Sequence, residues 1–250
     1  MASRVTNTSL SIHHRILHIL SAAGWSVANT GVPLKRQTNS DMPHTYVVEA
    51  PLPLRQWVYW NQSGVPCRDQ VKVYSDGDSL DRDSYRVNHI QGEIYFDVAP
   101  SGSLTVDYHY IDAEVREGFP DDVQLETAEL PVVSFEIEDE TEKPFALGTS
   151  AGWQTSQCAI HILARTDREK KDLGNYIKTG FKFLRLYDFK DAYILDEYGD
   201  VNPSFNAEQQ FKCLALTPQK PQVTYASPSS AFTPKEKHKA IVLFSCTQVD

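Results

Sequence analysis

The fold is decided by the forty residues from Val71 to Tyr110, which read VKVYSDGDSLDRDSYRVNHIQGEIYFDVAPSGSLTVDYHY. Short apolar or aromatic runs alternate here with polar gaps, and each gap contains the Gly, Asp or Pro that a tight reversal requires. Antiparallel neighbours can be joined by such short turns, whereas a parallel crossover needs about a dozen residues or more. The stretch therefore predicts a β-meander of about four strands.

The sequence before and after this stretch divides the chain into three parts. Residues 57–61 alternate between two faces, which predicts a further strand. Residues 31–53 contain four prolines and are interpreted as a connecting segment with one short strand at 45–49. The predicted parts are residues 1–50, the N-terminal helix and connecting segment of a core; residues 51–117, an inserted β-rich module; and residues 118–250, an α+β core with a C-terminal loop extension.

One amphipathic helix is predicted in the N-terminal part, from Ser9 to Ala23. Gly24 follows it directly, as is typical of a helix end. The polar face, which includes His14, is expected in solvent. His14 and His18 are also four residues apart, a spacing that suits two ligands of one metal ion, so that alternative stays open at this point. The apolar residues recur at intervals of three and four: Ile12, Ile16, Ile19 and Leu20.

The second half of the chain predicts a sheet. Residues 130–137 alternate as a strand, and an acidic loop is expected at 138–143. Residues 158–165 are apolar on both sides, which favours a central strand. Two further strands, at 211–216 and 239–246, are separated by a long Pro-rich loop.

A second helix is predicted to begin at Thr166 or Asp167. Lys170 falls on its polar face, which is expected in solvent. Gly174 in the helix interior costs about 1 kcal/mol relative to Ala, which predicts a close packing contact there. The other face is expected to be buried and carries Leu173, Tyr176, Ile177, Gly180 and Phe181. The predicted fold class is therefore α+β, with antiparallel β-sheets, an N-terminal helix, a second helix packed on a sheet, and an inserted β-meander.

Composition and charge exclude several classes of protein. The 250 residues carry 24 Lys and Arg against 33 Asp and Glu, a formal net charge of −9, which argues against attraction of the whole surface to nucleic acid or anionic lipid. The four cysteines form no Cys-x-x-Cys pair and are interpreted as reduced thiols. No run of 18 apolar residues occurs, so no membrane span is predicted, and the start of the chain lacks the apolar stretch of a signal peptide.

The common catalytic and nucleotide-binding motifs are missing from the sequence. It contains no Gly-x-Gly-x-x-Gly, no Walker loop, no Gly-x-Ser-x-Gly and no His-Glu-x-x-His. We therefore predict a non-enzymatic protein with no cofactor and no metal, although an unrecognised pair of acids remains an alternative. The acidic loop from Asp76 to Asp83 does not match an EF-hand, because Gly77 comes at the second position of the loop.

Two passages resemble virion proteins of tailed bacteriophages. Residues 71–108 follow the order of a small β-module of phage tail and neck proteins: an Asp-Gly turn at Asp76, a Tyr85-Arg-Val-Asn strand, a Gly92-x-Ile-x-Phe strand and an Ala99-Pro-x-Gly turn. Residues 130–183 are similar to the core of tail-terminator and neck proteins. The similar segments are LPVVSFEI, PFALGTSAGW, QCAIHILART and DREKKDLGNYIKTGF.

The resemblance implies a structural protein of the virion, assembled in the host cytoplasm. Such proteins form a homo-oligomeric ring at the head–tail junction, with a hexamer favoured, and contact other neck and tail proteins. DNA passes through the channel without sequence-specific binding, and no membrane is involved. The alternative is a distal tail or fibre-associated protein that binds host carbohydrate through Trp57, Tyr59 and Trp60, although aromatic residues are also the ordinary filling of a small β-core.

The ring interpretation needs surfaces that join one subunit to the next, and strand edges or long loops supply them. Two charged segments are predicted as docking elements. One is the acidic loop, with Glu138, Asp139, Glu140, Glu142 and Lys143. The other is the basic end of the Pro-rich loop, with Lys235, Lys237 and Lys239.

Overall fold

The computed structural model describes residues 4–38, 42, 44–48, 55–118, 129–144, 152–181, 183–216, 221–225 and 238–249. The predicted α+β class, with two helices and mostly antiparallel sheets, is confirmed. In chain order the elements are α1 (Arg4–Leu20), β1 (Ser26–Arg36), β2 (Thr45–Val48), β3 (Lys72–Ser75), β4 (Asp78–Ser79), β5 (Arg86–Asn88), β6 (Glu93–Tyr95), β7 (Leu104–Ile111), β8 (Glu114–Glu117), β9 (Val132–Pro144), β10 (Gly152–Leu163), α2 (Asp167–Gly180), β11 (Phe183–Tyr187), β12 (Phe211–Leu216), β13 (Gln222–Tyr225) and β14 (Lys239–Val249).

The chain forms two compact units, and each is discontinuous in sequence. The core unit contains Met1–Ala23, Ala113–Phe189 and Glu208–Asp250, and the module contains Gly24–Asp112 and Lys190–Ala207. These boundaries differ from the predicted ones at residues 50 and 117. The difference arises because β1 pairs inside the sheet of the module, whereas β8 pairs with β9 in the core unit.

The sheet of the core unit has the strand order β11-β12-β14-β10-β9-β8, and β13 also pairs with β14. All pairs are antiparallel except β8 with β9. The predicted central position of 158–165 is confirmed, because β10 lies between β9 and β14. The side chains from Cys158 to Ala164 are all buried, as expected of a strand covered on both faces.

Helix α1 is more buried than its sequence predicts. Ser9 lies inside the helix rather than at its N-terminus, and Gly24, with φ 84°, follows its end as expected. His14, predicted in solvent, is buried, and its ring centroid lies 6.5 Å from that of Tyr187. The reason is that α1 contacts α2, β8, β9 and β11, so little of its surface faces water.

Helix α2 begins as predicted. The Thr166 hydroxyl accepts a hydrogen bond from the Glu169 amide at 3.1 Å, which caps the first turn. The close contact predicted at Gly174 is present, because a Cβ atom there would lie 3.2 Å from both the Tyr225 hydroxyl and Val223 Cγ1. Glycine therefore lets β13 approach the helix.

Two residues of α2 lie on the side opposite to their predicted one. Tyr176 is 44 % exposed, whereas Lys170 is buried. The Lys170 ammonium pairs with Asp167 at 2.7 Å and lies over the Tyr225 ring, which provides a partner for its charge. The helix thus turns toward β13, which the sequence pattern did not show.

The module has the strand order β4-β3-β7-β1-β2-β6-β5. The hairpins β3–β4 and β5–β6 follow the expected local pairing, but β7 pairs with β3 and β1 rather than with β6. Ten of its buried core residues form one hydrophobic cluster: Trp57, Val71, Val73, Tyr85, Val87, Ile94, Phe96, Leu104, Val106 and Tyr108.

Three other predicted segments of the chain differ in the structure. Most of the supposed connecting segment 31–53 that is described belongs to β1 and β2. The predicted strand at 57–61 is present only as isolated bridges at Trp57 and Trp60. Residues Glu114–Glu117, placed at the end of the predicted β-rich module, form β8 and pair with β9 of the core unit. The secondary structure of these segments depends on backbone pairing with distant strands, which cannot be read from local composition.

Candidate functional site

The described residues pair with the outer side of β9 over only part of its length. Strand β8 pairs with β9 only over residues 132–135, while β10 covers the opposite side of β9 along its length. Among the described residues, no strand pairs with the outer side of 138–144, which we call the β9 edge. An edge of this kind presents backbone N–H and C=O groups that can accept a further strand.

The prediction of an acidic loop at 138–143 is wrong, because these residues form a strand. These residues continue β9, with Asp139 opposite Gln157 and Glu140 opposite Ser156. The register shifts at Glu138, which marks a β-bulge. Charged residues are depleted in strands in general, but they are common on edges, where they limit uncontrolled aggregation.

The side chains of the β9 edge make it strongly acidic. Glu138 and Asp139 are exposed. Glu140 is half-buried and accepts a hydrogen bond from the Ser156 hydroxyl at 3.2 Å. The carboxylates of Asp139 and Glu140 belong to successive positions of a strand, so they point to opposite faces of the sheet.

The other predicted docking residues are less fully described. The backbones of Glu142 and Lys143 pair with Gln154 and Trp153, and their side chains lie outside the described residues. Lys239 is the first residue of β14 and lies opposite Leu163. Lys235 and Lys237 also lie outside the described residues. The structure therefore gathers the acidic residues on one edge and places Lys239 away from them.

The aromatic residues of the carbohydrate alternative are part of the core of the module. Trp57, Tyr59 and Trp60 are between 2 % and 4 % exposed. Trp57 stacks on Tyr108, with ring centroids 4.2 Å apart, and Tyr59 packs against the edge of Trp60. None of the three rings has an open face on which a sugar could stack.

A buried ionic cluster in the module was missed by the sequence analysis. Asp200 is 2 % exposed, and its Oδ1 accepts a hydrogen bond from the Arg82 guanidinium at 2.5 Å and from the Val201 amide at 2.7 Å. Its Oδ2 lies 3.8 Å from the Arg68 guanidinium. We call Asp200, Arg82, Arg68 and the neighbouring His89 the Asp200 cluster.

A tight turn positions Asp200. The Asp196 carboxylate accepts hydrogen bonds from the amides of Tyr198 and Asp200, at 2.9 and 3.0 Å, which folds residues 196–200. Gly199 has φ 82°, and its carbonyl accepts a hydrogen bond from the His89 amide at 3.1 Å. The turn residue pattern Asp-x-x-Gly-Asp is the only local signal from which the sequence could have indicated this site.

The neighbouring groups of this cluster stabilise the charged form of Asp200. Burial alone would raise the pKa of Asp200, but the neighbouring His89 ring and Arg82 guanidinium lower it. Both carboxylate oxygens are engaged and almost no surface is exposed, so the group has no access to a substrate. These contacts hold residues 190–207 against β5 and against the turn that precedes β5.

His89 is the member of the Asp200 cluster whose polar atoms are least satisfied by hydrogen bonds. It is fully buried, and neither ring nitrogen has a hydrogen-bond partner among the described residues. Its Nε2 lies 3.8 Å from Asp200 Oδ1, beyond hydrogen-bond distance. Burial lowers the pKa of His89, and the attraction of Asp200 does not outweigh that effect.

The described residues contain no group of three or more His, Cys, Asp and Glu side chains placed to hold a metal ion. In the acidic loop, Asp76 instead accepts a hydrogen bond from the Ser103 amide at 2.8 Å, and Asp81 caps a short 3₁₀ turn. Cys67, Cys158 and Cys246 are free thiols. Within the same part of the chain, no helix has the length and apolar character that a membrane crossing requires.

No protein-family model matches this sequence, and no curated protein matches it either.

Proposed function

We propose that this chain is a non-enzymatic structural protein of a tailed bacteriophage virion. Its subunits form a ring at the head–tail junction, as a neck or tail-terminator protein, and join neighbouring rings around the DNA channel. The observation that supports the proposal is the β9 edge, with which no strand of the described residues pairs, because a ring subunit needs a surface that takes up part of its neighbour.

The charge of the chain supports the same role. With a net charge of −9 per copy, a ring presents a negative field to DNA, which is itself negative. DNA held by many Lys and Arg contacts would not slide, so a conduit benefits from repulsion. The resemblance of residues 71–108 and 130–183 to phage tail and neck proteins agrees with this role.

The Asp200 cluster supports a structural role in a different way. The Asp200 carboxylate and the Arg82 guanidinium pair with each other at a site where Asp200 is buried, rather than lying open to a ligand. They stabilise a discontinuous module, as expected of a protein that acts through its shape.

Deletion of the gene in a phage that encodes this chain tests the proposal. We expect filled heads and complete tails that remain separate, because the subunit that joins them is missing. Wild-type protein supplied from a plasmid should restore joined particles, whereas a plasmid with a frame-shifted copy of the gene should not. Joined, infectious particles in the deletion phage would contradict the proposed function.

A further inference from the structure

Strands β9 and β10 expose one face of the core sheet. Trp153, Thr155 and Gln157 lie at alternate positions of β10, so their side chains lie on the same face. Trp153 is 46 % exposed, and Gln157 is exposed as well. On β9, Asp139 lies opposite Gln157 and Thr141 lies opposite Thr155, and both β9 side chains are exposed. We call the exposed side chains of Asp139, Thr141, Trp153 and Gln157 the Trp153 face.

Helix α2 exposes a second surface, which is basic. The Arg168 side chain is 93 % exposed, and Tyr176 is 44 % exposed. Arg168 lies 3.7 Å from Asp172, and Lys171 lies 2.6 Å from Asp167. Exposed pairs of this kind contribute little to stability, so these cations can take another partner. We define the α2 face by its exposed residues Arg168, Lys171, Asn175, Tyr176 and Lys178.

The two surfaces lie on opposite sides of the sheet in one subunit. Phe181, at the end of α2, packs on Phe244, with ring centroids 4.7 Å apart. Phe244 lies opposite Cys158, so α2 covers the face of the sheet that carries Cys158. Gln157 precedes Cys158 in β10, so its side chain points to the other face. The Trp153 face of a copy therefore cannot contact the α2 face of the same copy.

The two surfaces are opposite in charge, and both expose an aromatic ring. Glu138 is exposed beside Asp139 at the Trp153 face, whereas the α2 face has three cations. Two Trp153 faces in contact would bring acidic groups together, and such like-charge contacts are unfavourable. Trp, Tyr and Arg often supply much of the binding energy of an interface, and a guanidinium is attracted to the face of a Trp ring. The surface that fits the Trp153 face is therefore the α2 face of a second copy.

We infer that the Trp153 face of one copy binds the α2 face of the next copy. This inference rests on the proposed function and specifies the contact between neighbours in the ring. The contact joins two different surfaces, and heterologous contacts of this kind close into rings. Asp139 pairs with the cations of α2, and Trp153 packs against Arg168 and Tyr176.

Charge reversal on each side of the contact tests the inference. The sheet variant carries Asp139→Lys and Thr141→Lys, and the helix variant carries Arg168→Glu and Lys178→Glu. All four positions are exposed, so each variant should keep the circular dichroism spectrum of the wild type. Sedimentation velocity of the full chain should show at least a tenfold weaker association for each variant alone.

Two controls separate the contact from general effects of charge and surface. A variant with Gln62→Lys and Asp97→Lys changes the net charge as the sheet variant does, at exposed positions of the module, and should assemble as the wild type does. Trp153→Ala should weaken association at least tenfold. Tyr193→Ala removes another exposed aromatic side chain, which is 47 % exposed, and should leave association unchanged.

Mixing the sheet and helix variants gives the decisive result. In an equimolar mixture, each reversed Trp153 face meets a reversed α2 face and each native face meets a native one, so the copies alternate and assembly should return. The variant with all four substitutions should also assemble. If the mixture and this variant both stay dissociated, or if either the sheet variant or the helix variant assembles like the wild type, the inferred contact is wrong while the ring itself stands.

The same variants in the deletion phage separate the inference from its premise, and this assay decides if the wild-type chain is monomeric in solution. Each variant alone should leave heads and tails separate, and the two variants supplied together should restore joined particles. If the wild type and each single variant all restore joined particles, or if the two variants together do not, the inferred contact is wrong and the proposed function stands. Joined particles in the absence of this chain would overturn both.

Discussion

The Asp200→Ala variant is expected to lose about 3–5 kcal/mol of the free energy of unfolding of the module. Removal of the carboxylate leaves the Arg82 guanidinium, whose side chain is 13 % exposed, without its charged partner. It also removes the hydrogen-bond acceptor of the Val201 amide. A buried charge without a partner is among the few causes of so large a loss from one substitution.

Urea unfolding followed by tryptophan fluorescence measures this effect. Trp25, Trp57 and Trp60 lie in the module and only Trp153 lies in the core unit, so the signal reports mainly on the module. Asp83→Ala is the matched control, because Asp83 pairs with Arg68 at 2.8 Å but its side chain is 82 % exposed. The control should lose less than about 1 kcal/mol. Equal losses in both variants would show that the Asp200 cluster does not stabilise the module.

The stability of the module is expected to fall as the pH drops from 7 to 5. Burial lowers the pKa of His89 in the folded protein below its ordinary value of 6.5. Between these two values the unfolded chain binds a proton that the folded chain does not, so stability rises with pH in this window. The slope reaches up to about 1.4 kcal/mol per pH unit. Of the neighbouring charges, Asp200 and Asp196 raise the pKa of His89 and Arg82 lowers it.

His89→Phe isolates this contribution. The substitution keeps a ring against Tyr59, whose centroid lies 5.7 Å away, and removes two nitrogens that have no hydrogen-bond partner among the described residues. Urea midpoints at pH 7 and pH 5 should differ less in this variant than in the wild type. His109→Gln changes an exposed histidine of the same unit and should keep the wild-type difference. An unchanged pH dependence in His89→Phe would refute the role of His89.

The sequence predicts the helices and strands that are determined by residues within their own segments. Helix α2 has its Thr166 cap and an apolar face within the segment itself, and β10 has a continuous apolar run. Strand β1 was missed because Gly31 and Pro33 are typical of loops. In the structure, Gly31 lies at a β-bulge with φ 62°. Among the described residues, β2 pairs with 34–36 and Pro33 pairs with Thr105 alone, and proline is tolerated where its missing N–H is not needed by a second strand.

The candidate sites depend on contacts between distant parts of the chain. The acidic residues 138–143 are predicted as a docking element from their charge, but their strand conformation comes from pairing with β10. Arg82 and Asp200 are 118 residues apart in sequence, and no periodic pattern connects them. A single sequence reports such a pair only through the short turn that contains Gly199.

Gold-labelled antibodies against this chain, applied to intact phage particles in the electron microscope, locate the protein in the virion. We expect label at the head–tail junction of each particle, in keeping with a ring of several copies. Label at the tail tip, or particles that contain none of this chain, would contradict it.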